Sequence, residues 1–187
     1  MNTESYKDKY DLNGKRVAVV ATDGFEQSEL LKPVEALQEC GVEVDVITPE
    51  GESIRGWSEK NWGQTIKADL SLGEADPAHY DGLLLPGGAV NPDTLRQDPD
   101  ALAFVKAFMD AGKPVAAICH APWTLLEAET LSGRTLTSYP SIRGDLRRGG
   151  ATVVDEEVCR DGNLVTSRNP DDVPAFSAAA VELFAGG

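Results

Sequence analysis

KPVAAICHAPWTLLEA, residues 113–128, holds the pattern that decides the fold. Residues 114–118 form an apolar run of strand length. Cys119 and His120 follow with no spacer, and Pro122 stands at the head of a segment of good helix formers. Proline suits the first turn of a helix, where its missing N–H is not needed. A strand buried on both faces reads as a continuous apolar run rather than an alternating one. The stretch therefore predicts strand, sharp turn and helix, with Cys119 at the turn.

The same alternation extends in both directions. RVAVVA (16–21) is a second doubly buried strand, bounded by Asn13-Gly14 and Asp23-Gly24. EQSELLKPVEALQECG (26–41) places Leu30, Val34 and Leu37 on one helical stripe and ends at a natural glycine stop. Pro33 is expected to start or bend that helix. VEVDVIT (42–48) and GLLLP (82–86) are further strands, and residues 92–112 carry Leu102, Val105, Phe108 and Met109 at helical spacing. RTLTS and ATVV read as later strands, EEVCRDGNLVTS as a hairpin turning at Asp161-Gly162, and a last helix covers about 172–184. Strands alternating with helices imply right-handed crossovers and a mostly parallel sheet with helices on both faces, a doubly wound α/β sandwich. Residues 51–68 do not fit the alternation and are expected as a hairpin or long loop over one end of the sheet. Residues 1–14 are expected as a tail and 15–187 as one domain.

Bulk properties narrow the function. The 187 residues carry 17 basic and 31 acidic side chains, a net charge of −14 spread along the chain. Such a surface repels phosphate backbones and anionic lipid, so neither nucleic acid nor membrane is an expected partner. No window approaches a membrane span, and the polar N-terminus lacks a signal-peptide core, so the expected compartment is the cytoplasm. Three cysteines without a CxxC pair, and two histidines far apart, argue against a disulfide framework and a metal site. No GxGxxG or P-loop pattern occurs, and no cofactor is expected.

Ligands of open parallel sheets bind beyond the carboxyl ends of the strands. TDGFE (22–26), PGGAVNPD (86–93) and CHAPW (119–123) all fall there, which would bring Glu26, Gly87-Gly88, Cys119 and His120 to one cleft. A thiol at a helix N-terminus is expected to ionise more easily. His120 is a candidate base, and its orienting carboxylate is Glu26 or Asp93. The backbone N–H groups of Gly88 and His120 suit an oxyanion hole, although Gly87-Gly88 reads equally well as a plain turn. His79, before a strand at the opposite end, is expected on the surface. Cys40 and Cys159 read as packing residues, and Trp57, Trp62 and Trp123 as packing residues that could also line the cleft mouth.

These segments resemble the PfpI/ThiJ superfamily, and more closely its intracellular protease I and general stress protein branch. The resemblance rests on DGFEQSEL, LLLPGG, KPVAAICHAPWTLLEA, residues 133–168 and NPDDVPAF, in order from about residue 15 to 184. It implies a flavodoxin-like sandwich with a reactive cysteine at Cys119, a partner histidine at His120, and a glutamate at Glu26 whose carboxyl contacts the thiol. It also implies an acid, falling on Asp93, that orients the histidine across a subunit contact. This loop departs from the family pattern, with aspartate in place of glutamate and one extra residue. A homodimer is the implied minimum assembly, with a hexamer among peptidase-type members. The implied activity is that of a stress-associated cysteine hydrolase in which Cys119 attacks the carbonyl of a peptide or small carbonyl substrate. Two alternatives stand beside it: a glyoxalase or deglycase using Cys119 and Glu26, and a non-catalytic stress protein or chaperone that senses oxidation through Cys119.

Overall fold

The structure, a computed structural model, describes residues 5–186. A single helical turn, α1 (Tyr6–Lys9), precedes β1 (Arg16–Val20). Residues 5–14 are tied to the domain rather than trailing from it: Leu12 is buried and its N–H donates to the Cys40 carbonyl at 2.8 Å. The short β2 (Phe25–Glu26) runs directly into α2 (Gln27–Glu39), followed by β3 (Glu43–Thr48), the hairpin β4 (Ile54–Ser58) and β5 (Asn61–Ile66), and β6 (Leu70–Ser71). Then come β7 (Gly82–Leu85), α3 (Val90–Leu95), α4 (Pro99–Asp110), β8 (Val115–Ile118) and α5 (Pro122–Glu127). The chain ends through β9 (Thr135–Leu136), α6 (Arg143–Arg148), β10 (Thr152–Val153), β11 (Cys159–Asp161), β12 (Leu164–Ser167) and α7 (Val173–Gly186).

The main sheet has the order β11-β12-β8-β7-β1-β3-β6, and every pairing is parallel except that of β11 with β12. Burial on both faces explains the continuous apolar strands. Val17 and Val19 pack toward Leu30, Leu37, Phe176 and Phe184, whereas Ala18 and Val20 pack toward Phe104, Val105, Phe108 and Leu125. Two helices, α2 and α7, cover the first face, with α4 and α5 on the second. This is the doubly wound, flavodoxin-like sandwich expected. Among the described residues no helix is long and apolar enough to cross a membrane.

Three local expectations are corrected. Residues 92–112 are two helices, because Asp98 accepts from the N–H groups of Asp100 and Ala101 and Pro99 occupies the first position of α4. The helix α2 does not start at Pro33 but runs from Gln27 through it, and the missing N–H leaves the Glu29 carbonyl without its i+4 partner. RTLTS and ATVV contribute only β9 and β10, which pair in a separate parallel ladder. The hairpin at 54–66 joins β2 in a third sheet over one end of the molecule, as expected of that region.

Candidate active site

Four loops meet beyond the carboxyl ends of β1, β7, β8 and β12, and buried Asn91 ties two of them together. Its Oδ1 accepts from Thr22 N–H at 2.8 Å, and its Nδ2 donates to the carbonyls of Pro86 at 3.0 Å and Gly87 at 3.1 Å. The Gly87 carbonyl also accepts from Glu26 N–H at 3.2 Å. A cleft of about 790 Å³ opens above this junction, lined by Glu26, Gly88, Cys119 and His120, with the hairpin on one side.

Cys119 sits between β8 and α5 with φ +66°, a left-handed conformation that L-residues rarely adopt. The surrounding backbone holds it there. Its N–H donates to Ser167 at the end of β12 at 3.1 Å, and its carbonyl accepts from Tyr139 at 2.9 Å. Strain of this kind is kept only where neighbouring structure over-determines it. A Cβ added at Gly87 would lie 2.5 Å from the Cys119 Cβ and 2.6 Å from a Glu29 carboxyl oxygen. Glycine there is what lets the β7 loop reach the thiol. Gly88 and His120 both aim their backbone N–H groups at the sulfur. The two backbone groups singled out as candidate donors thus both act on the thiol.

The carboxyl that meets the thiol belongs to Glu29, not Glu26. Glu26 caps α2 and turns its half-buried side chain toward the cleft, with burial pushing its pKa upward. Glu29, one turn further, lies on the buried stripe with Pro33, Ala36 and Leu37, which points it back at the sheet. It is fully buried. Its Oε2 accepts from Gly87 N–H at 2.8 Å, while Oε1 has no well-formed hydrogen bond and is free to carry a proton. Loss of solvation, with the charge of Glu26 adding to it, pushes the Glu29 pKa up to about 8 against the pull of the Gly87 N–H. The group is therefore a neutral acid at pH 7.

The thiol does not behave as its place at a helix start suggested. Burial, and after it the charge of an ionised Glu29, push the Cys119 pKa up, against the Gly88 and His120 N–H groups that lower it. The helix α5 is only six residues long, and desolvation outweighs it. With Glu29 protonated, its repulsion is absent at neutral pH.

His120 does face the sulfur. Its Nδ1 lies 3.1 Å from Sγ, and its ring stacks on Tyr139 at 4.3 Å between centroids. Burial lowers its pKa and keeps it neutral. The far nitrogen, Nε2, meets the Ser141 hydroxyl at 3.3 Å. Asp93 does not reach it within the chain. That carboxylate stands outside the cleft and pairs with Arg96, whose guanidinium covers Trp123 at 4.2 Å. His79 is exposed, Cys40 and Cys159 are buried in packing positions, and Trp57 and Trp62 line the cleft. Sequence reasoning missed Glu29, Ser141 and Tyr139. For Glu29 a signal existed, a charged residue on the core-facing stripe of an amphipathic helix.

A doubly wound sandwich with a strained cysteine at a strand-to-helix elbow, a glycine pair, a histidine and a buried glutamate defines one class of protein. Residues 15–183 match the DJ-1/PfpI family, and the chain belongs to it. General stress protein 18 of Bacillus subtilis is 46% identical over 173 residues, covering 91% of this chain and 98% of that one. Protein/nucleic acid deglycase 2 of Escherichia coli is 42% identical over 171 residues, covering 90% and 97%. Among solved structures, Drosophila melanogaster DJ-1beta superposes with a TM-score of 0.83 at 30% identity, covering 92% of this chain and 91% of its own.

Proposed function

We propose that the chain is a cysteine-dependent enzyme acting on reactive carbonyl compounds, in the manner of a glyoxalase or deglycase. The observation that carries this reading is the fully buried Glu29 carboxyl beside the Cys119 thiol, with one oxygen held by the Gly87 N–H and the other without a partner. A peptidase has no need of a proton carrier on that side of its nucleophile, whereas moving hydrogen between two adjacent carbons requires one.

A 2-oxoaldehyde would engage these groups in sequence. The sulfur of Cys119 bonds to the aldehyde carbon while His120 Nδ1, 3.1 Å away, accepts the thiol proton. The N–H groups of Gly88 and His120 support the developing oxyanion, which takes the Glu29 proton to give a hemithioacetal. Glu29, now a carboxylate, removes the hydrogen from that carbon to give an enediolate; the hydroxyl proton passes to the neighbouring oxygen, Glu29 delivers its proton to the neighbouring carbon, and a 2-hydroxy thioester is left. Water then adds its oxygen to the thioester carbon and gives a proton to Glu29, restoring the neutral acid; the carbon–sulfur bond breaks, His120 returns its proton to sulfur, and a 2-hydroxy acid departs. The relatives named as a stress protein and as a deglycase support this reading.

A cysteine peptidase is the second reading, favoured by the short Cys119–His120 contact. It lacks an in-chain carboxylate on Nε2. Purified protein incubated with methylglyoxal, and separately with a fluorogenic peptide, decides between them. Lactate formation that disappears in Cys119→Ala is the expected result. Peptide cleavage alone would assign the peptidase, and turnover of neither would leave the redox-sensing role expected of a stress protein.

A further inference from the structure

Each exposed large hydrophobic side chain among the described residues, Trp57, Trp62, Val90 and Tyr139, lines the cleft above Cys119. An apolar surface gathered at one opening in a chain otherwise rich in charge marks a binding site rather than chance exposure. Trp57 and Trp62 face each other across β4 and β5 in direct register, edge to face, with ring centroids 5.5 Å apart. They are 38% and 48% exposed, so a large part of each ring stays open although the pair packs on itself.

The hairpin that carries them is fixed. Arg55 N–H donates to Asp23 at 2.7 Å, Gly24 N–H to the Arg55 carbonyl at 2.8 Å, and Gln64 N–H to Gln27 Oε1 at 2.7 Å. On its opposite face Gly56 lies tight on Phe25, where an added Cβ would sit 3.0 Å from the ring, and Gly63 lies against the Gln27 amide. The pair is therefore a rigid wall, with Tyr139 and the His120 ring stacked beneath the same opening. At about 790 Å³ the cleft far exceeds what a three-carbon aldehyde fills.

We propose that Trp57 and Trp62 are specificity-determining residues, forming with Tyr139 a clamp for a flat aromatic substituent on the carbonyl compound that Cys119 attacks. Aromatic rings offer edge and face together, as this wall requires. The proposal rests on the carbonyl reading of the site and narrows it from small free aldehydes to compounds bearing a ring.

Initial rates with phenylglyoxal and methylglyoxal test it in the whole protein, Trp57→Ala and Trp62→Ala. Phenylglyoxal is expected to give about tenfold higher kcat/KM, with either substitution removing that preference through KM. Equal rates with both aldehydes overturn the clamp and leave the carbonyl reading intact. Turnover of neither overturns the carbonyl reading, and binding then decides on the clamp. Calorimetry on Cys119→Ala should show acetophenone bound about tenfold more tightly than acetone, and equal binding overturns the clamp. If the substitutions instead abolish self-association in sedimentation and leave the preference unchanged, the aromatics serve a contact between copies and the proposal fails.

Discussion

Glu29 is the buried acid beside the thiol, with its Oε2 held by the Gly87 N–H at 2.8 Å. The motif DGFEQSEL offers two glutamates three residues apart. Nearness to the strand end favours Glu26, but helix geometry favours the residue on the buried stripe. That stripe was legible in the sequence; the direction of one carboxyl within it was not, because it depends on the approach of Gly87 from a loop 58 residues away. Burying this acid has a cost that depends on pH. The folded state keeps its proton up to about pH 8, whereas the unfolded chain loses it near 4.5. Stability must therefore fall as pH rises through this window, because the folded state binds more protons, and level off above it. The loss is on the order of 5 kcal/mol at its fullest. Glu29→Gln removes it. In urea titrations at pH 5 to 8, the variant should gain on the wild type steadily with pH; a constant difference would mean that Glu29 is ionised in the folded protein.

Between secondary-structure elements, short connections do the positioning. Asn91 satisfies one N–H and two carbonyls from the loops after β1 and β7 while buried itself. Asn91→Ala removes all three bonds, with only the Gly87 carbonyl keeping a partner in the Glu26 N–H, and should cost roughly 3 kcal/mol. Denaturant midpoints would show it, and a cost below 1 kcal/mol would mean that other contacts hold the two loops. The hairpin turn makes the opposite prediction. Glu59 and Lys60 occupy it at φ +47° and +69°, the two positive angles of a type I′ turn, with residues that resist them. Replacing them with Asn-Gly should stabilise the fold by about 1 kcal/mol without moving the aromatic wall. Alternating strands and helices, the irregular hairpin and the β11–β12 turn were all readable from local pattern. The break between α3 and α4 was missed because a shared helical spacing hid the Asp98 cap. RTLTS and ATVV do form strands, but their pairing in a separate ladder was not readable, because short β-type runs carry no record of which partner they pair with.

For the whole molecule, the layered architecture was readable because doubly buried strands have a distinct composition. Their order was not, since β1 lies between β3 and β7 through contacts that no local segment encodes. Convergence of strand ends nonetheless followed from the fold class, which is why Cys119, His120 and Gly88 were found together. Asp93 was placed by position in a loop, and in the folded chain its carboxylate is occupied by Arg96. The account comes down to which acid serves the thiol. Lactate formation from methylglyoxal, compared between Glu29→Gln and Glu26→Gln at pH 7, tests this directly. Glu29→Gln should lower kcat by about 10²- to 10⁴-fold, the usual worth of a positioned acid–base group, while Glu26→Gln stays within about tenfold of the wild type. The reverse ranking, or full activity in Glu29→Gln, would contradict the mechanism.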